Sequence, residues 1–265
     1  MNNFELEFEK ESAKAIVEVF KGVIEDIVRP SSKSIGKNIG LMFDGAMGWL
    51  GCWGEKQKIE QQKSIENFKQ NIELKISNIS NENLKEPTMN IVGPAIESAK
   101  FYYEEKYYKE MFANLIAAAC DKSKIDIIHP SYVEIIKQLS PRDAKLLNIF
   151  KYNSTYPMVT MNIKHEDGTI TPYIQYLFDF KDRNQDFNME EHSLLTPSLD
   201  NLVRLGLIIK NNSIIELNYN YEEFRNNIFY SEFSKIKSSS QDKIEFTKYR
   251  LELSNFGAGF VNICF

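Results

Sequence analysis

At 265 residues, with 43% apolar and 26% charged side chains, the chain has the balance of a folded globular protein, not of a disordered one. Its formal net charge is −5 and acids outnumber bases in both halves, which disfavours a protein whose affinity depends on neutralising phosphates. Cys52, Cys120 and Cys264 stand far apart with no C-x-x-C spacing, which argues against a disulfide framework and against a structural zinc site.

Residues 1–28 read as an amphipathic helix, with Ala13, Ile16, Val17, Phe20, Val23, Ile24 and Ile27 at three-four spacing. The first ten residues are acidic and lack the apolar core of a signal peptide. Pro30 ends this helix, because proline disfavours helical backbone at the residue before it.

The next segment, Ser34–Glu55, carries Gly36, Gly40, Gly45, Gly48, Gly51 and Gly54 among Ile, Leu, Met, Phe and both tryptophans. Between Ile39 and Trp53 the only charge is Asp44. Glycine costs a helix about 1 kcal/mol per position relative to alanine, so outside packing must support any helix here. Two readings are open. One is a Gly-rich connection tucked against the core. The other is a segment seated in a membrane interface through Leu41, Phe43, Trp49 and Trp53, with Arg29, Lys33 and Lys37 toward anionic lipid. A span is excluded, since Ile39–Trp53 as a helix covers only about 22 Å of a hydrocarbon core about 30 Å thick.

Lys56–Ile79 reads as a charged helix with a sparse apolar stripe at Ile59, Ile65, Phe68, Ile72, Leu74 and Ile76. A polar linker with Pro87 follows, and Pro94 fits the first turn of the next helical stretch. Ala95–Cys120 is one long helix or two joined near Glu104-Glu105-Lys106. The next helix starts at Ile128-His129-Pro130-Ser131 and reaches Leu139. Ser140-Pro141-Arg142-Asp143 predicts another start, with Ser140 as N-cap, Pro141 at the first position and Asp143 returning a capping-box bond. Short strands are predicted around Met158–Ile163 and Tyr173–Phe180, joined near Asp167-Gly168.

In the last third, Thr196-Pro197 predicts a short helix over Ser198–Leu205, stopped by Gly206 in a left-handed cap. Leu207–Lys210 and Ile214–Leu217 predict a hairpin turning at Asn211-Asn212-Ser213. Residues 244–253 read as a strand, and Ser254 caps a last helix, Asn255–Ile263. The predicted fold is mainly α: a helical N-terminal and central region followed by a winged-helix-like α+β C-terminal unit. The expected boundaries are 1–89, holding the Gly/Trp segment at 34–55, then 90–152 and 153–265.

Little in this sequence speaks for catalysis. His129, His165 and His192 occur without an H-x-x-x-H or H-E-x-x-H frame. The pairs Glu104-Glu105 and Glu190-Glu191 are adjacent, so on a helix they diverge by about 100° and cannot converge on one atom. Phosphate-loop, nucleophile-elbow and dinucleotide-binding motifs are lacking. A site assembled from distant positions would leave no such trace. No catalytic residue, cofactor or metal is therefore assigned. In a winged helix the short helix at Ser198–Leu205 would be the recognition element, offering Asn201 and Arg204. Asp200 beside them opposes phosphate approach, which favours an interaction module over a DNA reader.

From Ile91 onward the text resembles the bacterial abortive infection alpha (Abi-alpha) family. The likeness is carried by Gly93-Pro94-Ala95, by MFANLIAAA at Met111–Ala119 and by HPSYVEIIKQLSPRDAKLL at His129–Leu147. It continues in LDNLVRLGLI at Leu199–Ile208 and LELSNFGAGFVNIC at Leu251–Cys264. The resemblance implies anti-phage defence by abortive infection, in which an infected cell stops growing or dies before phage release. It brings no catalytic residue set. The expected partners are a phage or host protein, a membrane surface or a second copy of the chain, and nucleic acid is disfavoured. The expected location is the cytoplasm, or the inner face of the membrane. The alternative function is a winged-helix DNA-binding regulator.

Overall fold

The computed structural model describes residues 32–47, 55–99, 101–102, 105–151, 153–178, 189–212, 215, 218–226, 228–236 and 241–265. The helix expected over residues 1–28, together with Trp49 and Trp53, lies outside them. The chain divides into two compact units, one running to Gln138 and taking in Asn262–Phe265, the other Leu139–Val261.

The first unit is helical. Helix α1, Ser32–Met47, packs on α2, Glu55–Ser77, so the glycine-rich segment does begin as a helix. Ile35, Ile39 and Met42 recur at three-four spacing and are all buried, forming the stripe that anchors α1. Of the stripe expected on α2, Phe68, Ile72 and Ile76 are buried, while Leu74 is 61% exposed. The reason is angular: Leu74 lies two residues from Ile72 and Ile76, which puts it across the helix from them.

The stretch after Thr88 is two helices, α3 at Met89–Ala99 and α4 at Lys106–Ala118, divided where Glu105 takes extended backbone. Pro94 is not in the first turn, as expected, but inside α3. It removes the bond to the carbonyl of residue 90, and both positions are exposed, so water can take its place. Helix α4 is buried at Met111, Phe112, Ala113 and 115–118, as are Ala119 and Cys120 just after it, and it packs against α2, α3 and α5, Tyr132–Gln138. Asn114, half-buried in this apolar run, donates from Nδ2 to the carbonyl of Cys264 at 2.9 Å. That bond satisfies one of the carbonyls a helix leaves unpaired at its end.

The second unit combines helices with one antiparallel sheet, and the chain as a whole is mainly α. Helix α6, Pro141–Ile149, starts as expected: Ser140 N–H donates to Asp143 Oδ2 at 2.7 Å, and Asp143 N–H to Ser140 Oγ at 3.1 Å. Strands β1, Thr155–Lys164, and β2, Ile170–Phe178, form the expected hairpin, turning through Gly168 at φ +83°. Helix α7 runs over Met189–Arg204, so it starts well before Thr196-Pro197 and holds Pro197 inside it, at an exposed position. Gly206, at φ +70°, supplies the left-handed cap.

Of the strand expected at Ile214–Leu217 as partner of β3, Ile208–Asn211, residues 214, 216 and 217 lie outside the described residues. Strand β3 pairs with β4, Lys243–Leu253, with Lys210 opposite Leu251. The sheet order is β2-β1-β4-β3. A 3-10 turn at Tyr221–Asn226 and helix α8, Ile228–Ile236, lie between β3 and β4 in sequence. Tyr221, Phe224, Phe229 and Phe233 from these elements cover one face of the sheet, over Val159, Met161, Leu177 and Ile244. Helix α9, Asn255–Cys264, is capped by Ser254, whose Oγ accepts from Gly257 N–H at 2.8 Å.

Candidate functional site

Leu41 and Phe43 lie on α1. Leu41 is 46% exposed beside the buried Ile39 and Met42, and the structure describes the backbone of Phe43 without its side chain. Leu41 is thus an apolar side chain on a helix whose inward stripe is already filled. Among the described residues no helix is long and apolar enough to cross a membrane.

Asn201 and Arg204 come together on α7. Arg204 donates from Nε and Nη2 to Asn201 Oδ1, at 3.1 and 2.8 Å. Asn201 in turn donates from Nδ2 to Asp143 Oδ2 at 2.8 Å. The expected interaction residues therefore form a chain that ends on the carboxylate capping α6. That carboxylate is 3% exposed and needs each of these donors, since burial without them is costly. Asp200 is exposed next to this chain.

The two described cysteine thiols are held protonated. Burial pushes the Cys120 thiol up to about 12, and Cys264, fully buried, is pushed well above its ordinary value by the same cause. A thiolate is the reactive form, so neither sulfur is available as a nucleophile near neutral pH. Burial, reinforced by Cys264, also raises the Tyr132 phenol to about 12. No group of three His, Cys, Asp or Glu residues able to hold a metal is found among the described residues.

One arrangement has the outline of a catalytic relay. His165 Nε2 lies 2.9 Å from Thr171 Oγ1, and its Nδ1 lies 3.4 Å from Asp242 Oδ1, on a side chain 2% exposed. The longer separation exceeds the 2.6–3.2 Å that a catalytic base keeps with its partners. The three residues sit where β1 ends, β2 begins and β4 begins, and their contacts brace the open end of the sheet. Sequence reading could not pair them, because residues 165 and 242 become neighbours only through the β1–β4 register.

The opposite end of that sheet carries a second cluster with no local signature in the amino-acid pattern. On one face, Tyr249 of β4 stands opposite Met158 of β1, and Met158 stands opposite Phe178 of β2. Lys210 and Leu251 continue the same face onto β3, because side chains two apart on a strand point the same way. Between Val159 and Met161 the β1–β2 register shifts, and Tyr176 there takes φ 56°. A bulky residue in that region costs on the order of 1–3 kcal/mol and persists only where its surroundings impose it. Bulges of this kind re-aim a side chain. Here the result is that Lys210 Nζ donates to the Tyr176 hydroxyl at 2.6 Å and sits 4.3 Å from its ring centre and 6.0 Å from that of Tyr249. All three residues are half-buried, so solvent reaches them.

The abortive infection alpha family model matches residues 60–264, which takes in both units and begins before the likeness read from Ile91 onward. No curated protein and no solved structure matches the chain.

Proposed function

The chain belongs to the abortive infection alpha family, and on that premise we propose that it protects a bacterial population by arresting or killing the phage-infected cell. The observation that carries this reading is the length of the match, which runs through both units and is not confined to one motif. The effector step is read as contact with a protein or a membrane surface and not as catalysis. Two features support that reading: buried thiols held protonated, and an exposed apolar residue, Leu41, on a helix already anchored by Ile35, Ile39 and Met42. The second unit is read as a winged-helix-like interaction module, supported by the succession α6, α7 and the β3–β4 pair. Its Asn201 and Arg204 are bonded to each other and onward to Asp143, which favours packing over base reading.

The test is to express the full chain in a bacterial host and challenge it with a phage panel at low and high multiplicity. The expected result is fewer plaques at low multiplicity and loss of host growth at high multiplicity. Unchanged phage yield across the panel would overturn the defence role, while protection with full survival of infected cells would overturn abortive action.

A further inference from the structure

Helix α1 is ordered by what it packs on and not by its own sequence. Gly36, Gly40 and Gly45 stand among its 16 residues, and each glycine disfavours helix relative to alanine. Two of them serve the contact with α2. Gly36 and Gly40 face Glu73, and a Cβ added at Gly36 would lie 3.0 Å from Glu73 Cγ, so the helices approach where α1 has no side chain. Ile35, Ile39 and Met42 fill the docked face. Further along, Lys69 of α2 pairs with Asp44, the only charge between Ile39 and Trp53. The Asp44 side chain is 56% exposed, so this pair is a weak latch. Away from α2, the helix would present Ile35, Ile39 and Met42 on one side and Leu41 across from Ile39. A protein groove accepts one such face. A lipid interface takes apolar side chains from a wider arc, and it drives the backbone to satisfy its own hydrogen bonds despite the glycines. Lys33 and Lys37, toward the start of the helix, suit anionic headgroups.

We infer that α1 is a releasable lipid-binding helix: docked on α2 it hides Ile35, Ile39 and Met42, and released it turns them to an anionic membrane surface. The Asp44–Lys69 pair biases it toward the docked state. This rests on the membrane reading of the effector step, and adds where the apolar surface is kept and what keeps it there.

The experiment locks the helix. A Cβ added at Gly36 lies 3.5 Å from Glu73 Cβ, within the span of about 3.5–4.5 Å that a disulfide bridges. Gly36→Cys with Glu73→Cys, in a Cys52→Ser background of the full chain, therefore closes a bond that dithiothreitol reopens. Flotation with phosphatidylglycerol–phosphatidylethanolamine vesicles should be lost on oxidation and return on reduction. Lys69→Gln leaves α1 itself unchanged and should raise vesicle partitioning by up to about fivefold. Lys75→Gln, whose partner Glu110 lies on α4, should leave it unaltered. Without vesicles, the amides of α1 should exchange with solvent faster than those of α2, and slow when the bond is closed. Flotation that the closed bond leaves unchanged overturns release while the membrane contact stands. So does Lys69→Gln partitioning no better than Lys75→Gln, or α1 exchanging as slowly as α2. If no form floats, lipid is not the partner, and the inference falls together with the membrane reading.

Discussion

Asn201 Nδ2 donates to Asp143 Oδ2 at 2.8 Å, joining the last turn of α7 to the first turn of α6. Asp143 thereby serves two purposes, closing the capping box with Ser140 and receiving α7. Asp143→Ala removes the reciprocal half of the capping box, keeps the bond from the residue 143 N–H to Ser140 Oγ, and takes the acceptor from the Asn201 amide and the Ser140 N–H. The expected loss is about 3 kcal/mol, from two donors that lose a charged acceptor. Asn201→Leu keeps the capping box and should cost about half as much. Urea unfolding followed by circular dichroism measures both. Equal losses for the two variants would show that the capping box contributes nothing beyond the link to α7.

Two glycines should respond to alanine in opposite directions. A Cβ on Gly257 would lie 1.9 Å from the Leu207 carbonyl oxygen, backbone that cannot step aside alone. Gly257→Ala should therefore cost at least about 3 kcal/mol by forcing α9 off β3. Gly93 lies inside α3 with nothing within 4 Å of its Cβ position, so Gly93→Ala should stabilise by up to about 1 kcal/mol through helix propensity. Thermal unfolding checks both, and a melting temperature lowered by Gly93→Ala would contradict the open space at that position.

The contrast between these sites shows how much of the fold was readable from sequence. The Ser140-Pro141-Asp143 start, the Gly206 stop and the Ser254 cap are legible because each depends on bonds within four residues. The same local reasoning misplaced Pro94 and Pro197, since an exposed proline inside a helix loses a bond that water replaces, and nothing local reports exposure. The β3–β4 pairing was illegible for another reason: β4 lies more than thirty residues further along the chain, and nothing local to β3 reports it. Of the expected site residues, Asn201 and Arg204 were singled out as outward-facing, and their engagement with Asp143 depends on a helix 58 residues earlier in the chain. Tyr176 and Lys210 carried no signal at all, because a tyrosine in a left-handed bulge has no sequence signature.

The buried thiols give a prediction about reactivity and pH. In a Cys52→Ser background, Cys120 and Cys264 should be inert to a thiol-specific disulfide reagent in the folded chain near pH 8 and react at once in guanidinium. Rapid reaction of either in the native state would contradict its burial. The linkage has a definite sign. Cys120 has its pKa raised from 9.0 to about 12 by burial, so the folded state keeps a proton that the unfolded chain gives up. Its contribution is fully present below pH 9 and declines as pH rises from there toward 12. The urea midpoint should therefore fall across that window, and Cys120→Ala should flatten the fall.

The last prediction concerns α1 and which partner it meets. Ile35, Ile39 and Met42 are at most 4% exposed, so they already anchor the helix, whereas Leu41 is 46% exposed and anchors nothing. Leu41→Ser should change stability by less than about 0.5 kcal/mol, as surface substitutions away from packed contacts do. If α1 and the Trp49–Trp53 stretch together seat in a membrane interface, the wild type should float with anionic vesicles. Leu41→Ser should then float less, and Trp49→Ala with Trp53→Ala less still, because the apolar area that drives partitioning is reduced. High salt should weaken flotation as well, since Lys33 and Lys37 would be screened from the lipid charge. A wild type that stays at the bottom of the gradient removes the membrane from the proposal and leaves a protein as the partner. Leu41→Ser separates those cases in cells too: lost phage protection with an unchanged unfolding midpoint places Leu41 in the contact. Full protection by Leu41→Ser at normal expression would remove this face of α1 from the effector step.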